Sequence, residues 1–315
     1  MAAHVEKLNW LVVGIGDITI RRVIPAIQAE PRSNLYGVVS RDRAKGERYS
    51  DFVWTDLAEA LRDRAIDAVY VATPVFLHAP QSIAALRAGK HVLCEKPVAM
   101  NYGEAAGMVS VAEETGRTLA IAYYRRMYPK LQRARGLLAE GTIGCPVLAE
   151  INCHDWFQAQ PGHRDWLSDP KQSGGGPLYD IASHRIDVLN FLFGRPARVS
   201  GHLSNVVRGF AVEDCATVMI DYESGVRGVV DVRWHSRTPR DEFRIIGVDG
   251  EMVLTPLSGP KLSHPGATED LPAHPNLHYP CVENFVAAVL DGAHLYASGE
   301  SSIWTDWVTE RALGK

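Results

Sequence analysis

The chain has 315 residues, 46% of them hydrophobic, and a formal net charge of -4, which is enough for two domains with separate cores. The slight acidity gives no basic face for nucleic acid, and no run approaches the roughly 18–20 apolar residues that span a bilayer. Met1–Lys7 lacks the basic-then-apolar pattern of a secretion signal, and five dispersed cysteines (Cys94, Cys145, Cys153, Cys215, Cys281) form no C-x-x-C pair, so the expected setting is a reducing cytoplasm with no structural metal.

In chain order, Leu8–Val13 reads as a buried strand, followed by a glycine turn and an apolar-periodic helix around Ile20–Ala29. Leu35–Val39 and Ala68–Ala72 are further strands, and Pro80–Ala88 is a helix stopped by Gly89. The strand His91–Cys94, the helix Tyr102–Thr115 ended by Gly116 and the strand Thr118–Tyr123 complete the series. Strands that are apolar throughout and separated by helices predict an α/β, doubly wound parallel sheet of the Rossmann type.

From Tyr124 the rhythm changes. A helix, Lys130–Glu140, leads into strand-like Val147–His154, Val199–Asn205, Ala216–Tyr222, Val226–Trp234 and Phe243–Gly247, with hairpin-type turns at Tyr222–Gly225 and Val248–Gly250. Strands without intervening helices predict an α+β domain built on a large, mostly antiparallel sheet with one open face. Gly259–Pro275 reads as an exposed loop, and helices near Cys281–Leu290 and Ser302–Ala312 close the chain. The expected domains are 1–124 and 125–315.

Val12-Val13-Gly14-Ile15-Gly16-Asp17-Ile18-Thr19 lies between the first strand and the first helix. Gly14 permits a tight turn, and Gly16 lets backbone approach a pyrophosphate held by the helix N–H groups. Thr19 stands where the dinucleotide pattern has a third glycine or alanine. An NAD site usually ends its second strand in an acid for the ribose hydroxyls; here Ser40 and Arg41 occupy that place. A hydroxyl and a guanidinium suit a 2′-phosphate, so NADP(H) is preferred. Asp42 leaves NAD(H) open.

Ala88-Gly-Lys-His-Val-Leu-Cys-Glu-Lys-Pro97, Ala72-Thr-Pro74 with His78, and Ser173-Gly-Gly-Gly-Pro-Leu-Tyr-Asp180 with His184 together resemble the glucose–fructose oxidoreductase, inositol dehydrogenase and MocA-like family. The opening turn and the tail Ala297–Trp304 look most like its 1,5-anhydro-D-fructose reductases. The resemblance implies a Rossmann domain binding NAD(P) and a second domain for substrate binding and oligomerisation. It implies hydride transfer between nicotinamide and a CH–OH or C=O group of a sugar, deoxysugar or cyclitol. A homodimer or homotetramer through the second domain's sheet is also implied.

Carbonyl reduction needs a proton donor beside the hydride donor. Lys96 leaves a parallel strand at the ligand-binding edge, and its ammonium can stabilise an alkoxide or exchange a proton. A bare lysine there is ordinarily a surface charge; the resemblance makes Lys96 catalytic, with a cis Lys96-Pro97 bond. Asp180 and His184, four apart, share a face if Leu178–Phe193 is helical. By resemblance they complete the catalytic set, and the glycine run before them allows close approach to the cofactor. Thr73, Pro74, His78, Glu95, Arg126 and Trp166 are further cofactor-side candidates, and Tyr124 and Tyr279 further substrate-side ones. Leu167 replaces the family's usual arginine after Trp166. Trp156, in His154-Asp-Trp-Phe157, either stacks on a sugar ring or packs in the core. Two other classes stay open: a glycosidase that uses held NAD transiently, and a non-catalytic ligand sensor of the same fold.

Overall fold

The computed structural model describes residues 6–158 and 164–314. Six parallel strands form the first sheet: β1 (Leu8–Val13), β2 (Ser33–Val39), β3 (Phe52–Trp54), β4 (Ala68–Val71), β5 (His91–Cys94) and β6 (Leu119–Ile121). They are ordered β3-β2-β1-β4-β5-β6, the doubly wound order with its switch point between β1 and β4. Trp10, Leu11 and Val12 of β1 and all of β4 are fully buried, which is what helices on both faces of a parallel sheet require. β3 is the strand that the sequence reading lacks. It is a three-residue edge strand held by side chains, with Phe52 stacked on Tyr36 at 4.7 Å. Gly37 leaves room for Trp54, whose ring would lie 2.4 Å from a Cβ there.

Contacts divide the chain into two compact units. The first holds the described residues up to Ala99, then Gly103–Tyr124 and His274–Ile303; the second holds Met100–Tyr102, Arg125–Ala273 and the chain from Trp304. His274–Ile303 therefore join the first unit, where the sequence reading gave all of 125–315 to the second domain. The reason is apolar: Phe285 of the helix Tyr279–Asp291 is fully buried with its ring 5.1 Å from that of Trp10. Arg32 pairs with Asp291 at 2.7 Å, and Asn276 Nδ2 donates to Arg22 O at 2.8 Å.

The second unit carries an eight-stranded sheet: β7 (Pro146–Trp156), β8 (Pro196–Ser204), β9 (Cys215–Tyr222), β10 (Arg227–Arg233), β11 (His235–Gly247), β12 (Glu251–Val253), β13 (Lys261–His264) and β14 (Ala267–Asp270). Its order is β14-β13-β12-β11-β7-β10-β9-β8, antiparallel throughout except for the parallel β7–β10 pair. Ile151, Val218, Val230, Val232, Phe243 and Ile245 form the buried face. The opposite face is charged and internally compensated: Asp231 accepts from His154 Nε2 at 2.7 Å, Thr217 Oγ1 at 2.6 Å and Arg233 Nε at 2.8 Å. β13 and β14 lie where an exposed loop was expected. Their hairpin turns through Gly266, whose φ is +94°, and is anchored by Glu269, which bonds Arg133 at 3.0 Å and His264 at 2.9 Å. Among the described residues no helix is long and apolar enough to cross a membrane.

Phe285→Ala removes the buried ring that ties the returning helix to β1. We expect it to lower unfolding stability by about 3–5 kcal/mol in denaturant titrations.

Candidate active site

The turn after β1 has two glycines with different duties. Gly14 has φ +92°, and a Cβ there would meet Ala72 O at 2.7 Å, so the fold itself demands glycine. At Gly16 a Cβ would meet nothing within 4 Å, so the space beside its backbone is open. Thr19 is fully buried, and its Oγ1 donates to Gly14 O at 2.9 Å, closing the turn from the position where the pattern has a third glycine. Exposed Asp17 pairs with Arg21 at 2.8 Å, and Ile18 is half-buried. Ser40, at the end of β2, is buried with Oγ donating to Asp42 O at 2.8 Å, while Arg41 is exposed. The Asp42 Oδ1 accepts from Lys45 N at 3.1 Å as an N-cap.

The ends of β4 and β5 hold the densest polar cluster of the first unit. His78, 1% exposed, meets two carbonyls: Pro97 O at 2.8 Å from Nδ1 and Thr73 O at 2.9 Å from Nε2. It thus lies between the segment after β4 and the one after β5, and the neutral ring donates to one of the two carbonyls. Burial pushes its imidazole below the ordinary histidine range, against the two carbonyls that favour the charged ring. Thr73 Oγ1 donates to Gln81 at 2.7 Å, and Pro74 is half-buried beside it. Lys96-Pro97 is a cis bond, and Lys96 is half-buried. Glu95 is buried, accepting from Tyr70 Oη at 2.9 Å and His278 Nε2 at 3.0 Å. Burial alone would raise its carboxyl; the His278 bond and charge, the Lys96 charge and the Tyr70 hydroxyl outweigh it and hold it down at about 2. The Tyr124 ring lies 4.9 Å from that of His278. Tyr279 stacks on His274 at 4.7 Å and donates to Glu283 at 3.3 Å.

In the second unit Asp180 lies in the π-helical turn Leu178–Ala182 and His184 in the following helix Ser183–Phe193. His184 is buried, and Asp180 accepts from Arg164 NH2 at 2.7 Å. The glycine run has an internal cause. Cβ atoms at Gly174 and Gly175 would each meet the Tyr179 ring at 2.6 Å, and one at Gly176 would strike Glu213 O. Arg126 is 2% exposed and grips fully buried Asp187, at 3.1 and 3.0 Å from Nε. Burial pushes the Asp187 carboxyl up, against the pull of that guanidinium. Trp166 packs on the cluster of Phe157, Leu167, Val212 and Trp234, so Leu167, in the place of the family's arginine, is a core residue. Phe157 stacks on Trp234 at 4.1 Å. Trp156 has the guanidiniums of Arg237 and Arg208 over its ring at 4.0 and 4.4 Å. Asp214, Cys215 and His235 bring possible metal-binding atoms within 4.8 Å of one another. Asp214 already accepts three backbone N–H groups, from Val206, Val207 and Arg208 at 2.8–2.9 Å, and so braces that loop.

Comparison with known proteins places these features. An oxidoreductase family model described as an NAD-binding Rossmann fold matches residues 8–123, and the GFO/IDH/MocA C-terminal domain matches 131–253. The chain belongs to the GFO/IDH/MocA oxidoreductase family. It is 30% identical to a 1,5-anhydro-D-fructose reductase of Ensifer adhaerens, covering 94% of this chain and 92% of that protein. It is 27% identical to a D-xylose 1-dehydrogenase [NADP(+)] of Haloarcula marismortui, over 84% of this chain and 79% of the other. A levoglucosan dehydrogenase solved with NADH and levoglucosan shares the fold, with a TM-score of 0.88 at 23% identity over 98% of this chain and 96% of that one.

As a member of this family the protein is an oxidoreductase with an NAD-binding Rossmann unit. Within that unit Gly14, Thr73, His78, Glu95, Lys96 and the Tyr124–His278 ring pair form one connected set. Tyr70 and His278 were not foreseen from sequence. A hydroxyl inside an otherwise apolar buried strand needs a partner, and that was the available signal for Tyr70; His278 lies 183 positions from Glu95 in no motif.

The two glycines separate in mutation. Gly14→Ala should cost about 1–3 kcal/mol of stability, whereas Gly16→Ala should melt like the parent yet weaken NADPH binding in a fluorescence titration. Arg126→Ala should destabilise by about 3–5 kcal/mol, because it strands the Asp187 carboxyl in the core; a change under 1 kcal/mol in denaturant unfolding would remove the buried pair from the account of this unit's stability.

Proposed function

We propose that the protein is an NADP(H)-dependent oxidoreductase acting on a CH–OH or C=O carbon of a sugar, deoxysugar or cyclitol. The observation that carries the reading is a single sheet edge at which Gly14 packs on Ala72 and Thr73, and His78 lies between Thr73 O and Pro97 O beside the Glu95-Lys96-Pro97 segment. The names of the relatives, a keto-sugar reductase and an NADP-linked xylose dehydrogenase, supply the substrate class.

NADPH, when bound, supplies the hydride. Gly14 and Gly16, with the N–H groups of Asp17 and Ile18, would hold the pyrophosphate, and Thr73, Pro74 and Glu95 would shape the nicotinamide side. Exposed Arg41 would take the 2′-phosphate, and Ser40 would join it on turning its hydroxyl from Asp42 O. The ribose position at the end of β2 carries Ser40 and Arg41 in place of an acid, and this favours NADP over NAD, with Asp42 leaving NAD open. Lys96 Nζ gives a proton to the carbonyl oxygen in reduction and takes it back in oxidation. By the family resemblance His184 bonds the same oxygen or relays its proton, and Asp180, oriented by Arg164, fixes the substrate. Tyr124 and Tyr279 contact the sugar. By the family resemblance Arg126 and Trp166 are cofactor-side residues. Assembly as a homodimer or homotetramer uses the open face of the second unit's sheet, where Met219 is 41% exposed among paired charges.

A screen of NADPH oxidation and NADP reduction across keto-sugars, aldoses, polyols and cyclitols tests the class. With the best substrate, Lys96→Ala should lower kcat by about 10²–10⁴-fold with NADPH affinity nearly unchanged; full turnover by this variant would take Lys96 out of the mechanism. Ser40→Asp should move the kcat/KM ratio toward NADH, and equal ratios in parent and variant would defeat the 2′-phosphate argument. Light scattering should give at least a dimer, and a monomer would contradict the assembly.

A further inference from the structure

The cluster around Glu95 assigns work to a residue outside every motif. The inference rests on Lys96 being the proton-transfer group. Glu95 directly precedes Lys96 and is 7% exposed. Its Oε1 receives both Tyr70 Oη and His278 Nε2, at 2.9 and 3.0 Å, while Oε2 lies 3.3 Å from the Lys96 backbone N. A carboxylate only accepts, so His278 carries its proton on Nε2. The opposite ring nitrogen, Nδ1, is buried and has no hydrogen-bond partner among the described residues. Leaving a polar atom unsatisfied in the core costs stability, and the bond to Glu95 is what this ring has in return.

We propose that His278 is a positioning residue for Lys96: its bond to Glu95 keeps that carboxylate ionised and fixed beside the lysine across the working pH range.

Three elements besides its own bring charged or titratable groups toward Glu95. β4 contributes Tyr70, with the Cys94 and Cys281 thiols near it; the segment before the helix Tyr279–Asp291 contributes His278; the helix His78–Arg87 contributes His78; and Lys96 follows in the chain. Burial and the Glu95 charge hold the Tyr70 phenol well above its ordinary range, so it donates at every working pH. His278 is thus the removable donor. Without it, burial drives the carboxyl upward, and Glu95 takes a proton as pH falls. The negative charge beside Lys96 is then lost, and the neutral carboxyl is free to turn. Activity should fall on the acid side only, because at high pH the carboxylate is restored.

Two variants separate positioning from bulk packing. His278→Phe removes the donor and keeps a ring; His278→Gln keeps an N–H near the same place. Titration by carbon NMR of glutamate-labelled protein, with Glu95→Gln to identify the resonance, reads Glu95 directly and needs no substrate. We expect parent and His278→Gln to keep Glu95 ionised down to the acid unfolding limit, and His278→Phe to protonate it at least about two pH units higher. The kcat/KM profile of His278→Phe, with NADPH and the substrate selected by the screen, should drop about tenfold or more on the acid side and rejoin the parent at high pH. A Glu95 resonance in His278→Phe that titrates with the parent, or a profile lowered equally at every pH, would overturn the proposal. Failure of Lys96 as the proton-transfer group would show separately, as full turnover by Lys96→Ala.

Discussion

A buried carboxylate must be paired or it must be neutral, and the first unit is organised around one that is paired. Glu95 lies at the end of β5, out of water, and stays ionised because a phenol from β4 and an imidazole from the returning C-terminal segment both point at it. Those two donors come from residues 25 and 183 positions away in sequence. The C-terminal segment His274–Ile303 therefore has a chemical reason to fold back onto the first unit, beyond the Phe285–Trp10 contact that gives it apolar anchorage. His78 does a similar task with backbone, lying between the carbonyls of Thr73 and Pro97 and donating to one of them. The two loops at the ligand-binding edge of the sheet are thereby fixed by buried polar contacts before any ligand arrives, which is how preorganised sites are built.

Perturbed ionisation alone does not mark chemistry in this protein. Lys130 of the second unit is pushed down to about 8 by burial, against the charge of Asp241, yet its Nζ donates to Leu254 O at 3.1 Å and Pro256 O at 2.5 Å and simply closes a turn. Asp187 is pushed up and spends itself on Arg126. What distinguishes Glu95 is location: it adjoins a half-buried lysine at the carboxyl edge of a parallel sheet, where open α/β folds take their ligands.

The fold was largely legible because its signals are local. Continuous apolar strands with helices between them state a parallel sheet, and β1, β4 and β5 lie where their runs predict. Two of the elements that escaped are set by contacts outside their own stretch. β3 is three residues held by stacked rings, and the β13–β14 hairpin depends on Arg133 reaching Glu269. The candidate site was legible where a motif carried it, as with Gly14, Glu95 and Lys96, and illegible where partners came from afar, as with Tyr70 and His278. Two motif stretches have packing roles that the sequence did not show. The Gly174–Gly176 run makes room for Tyr179 and Glu213, and Thr19 stands in for a glycine because its hydroxyl closes the turn on Gly14. In both cases the residue type was visible in sequence and its packing partner was not.

The account reduces to one event, delivery of a hydride to a carbonyl carbon while an amine at residue 96 serves the oxygen. The most direct measurement uses NADPH carrying deuterium at both C4 positions of the nicotinamide, incubated with the carbonyl substrate, with the product analysed by NMR. The account predicts one deuterium on the new carbinol carbon for each NADPH consumed. A product without label, or turnover that leaves the cofactor unconsumed, would contradict it.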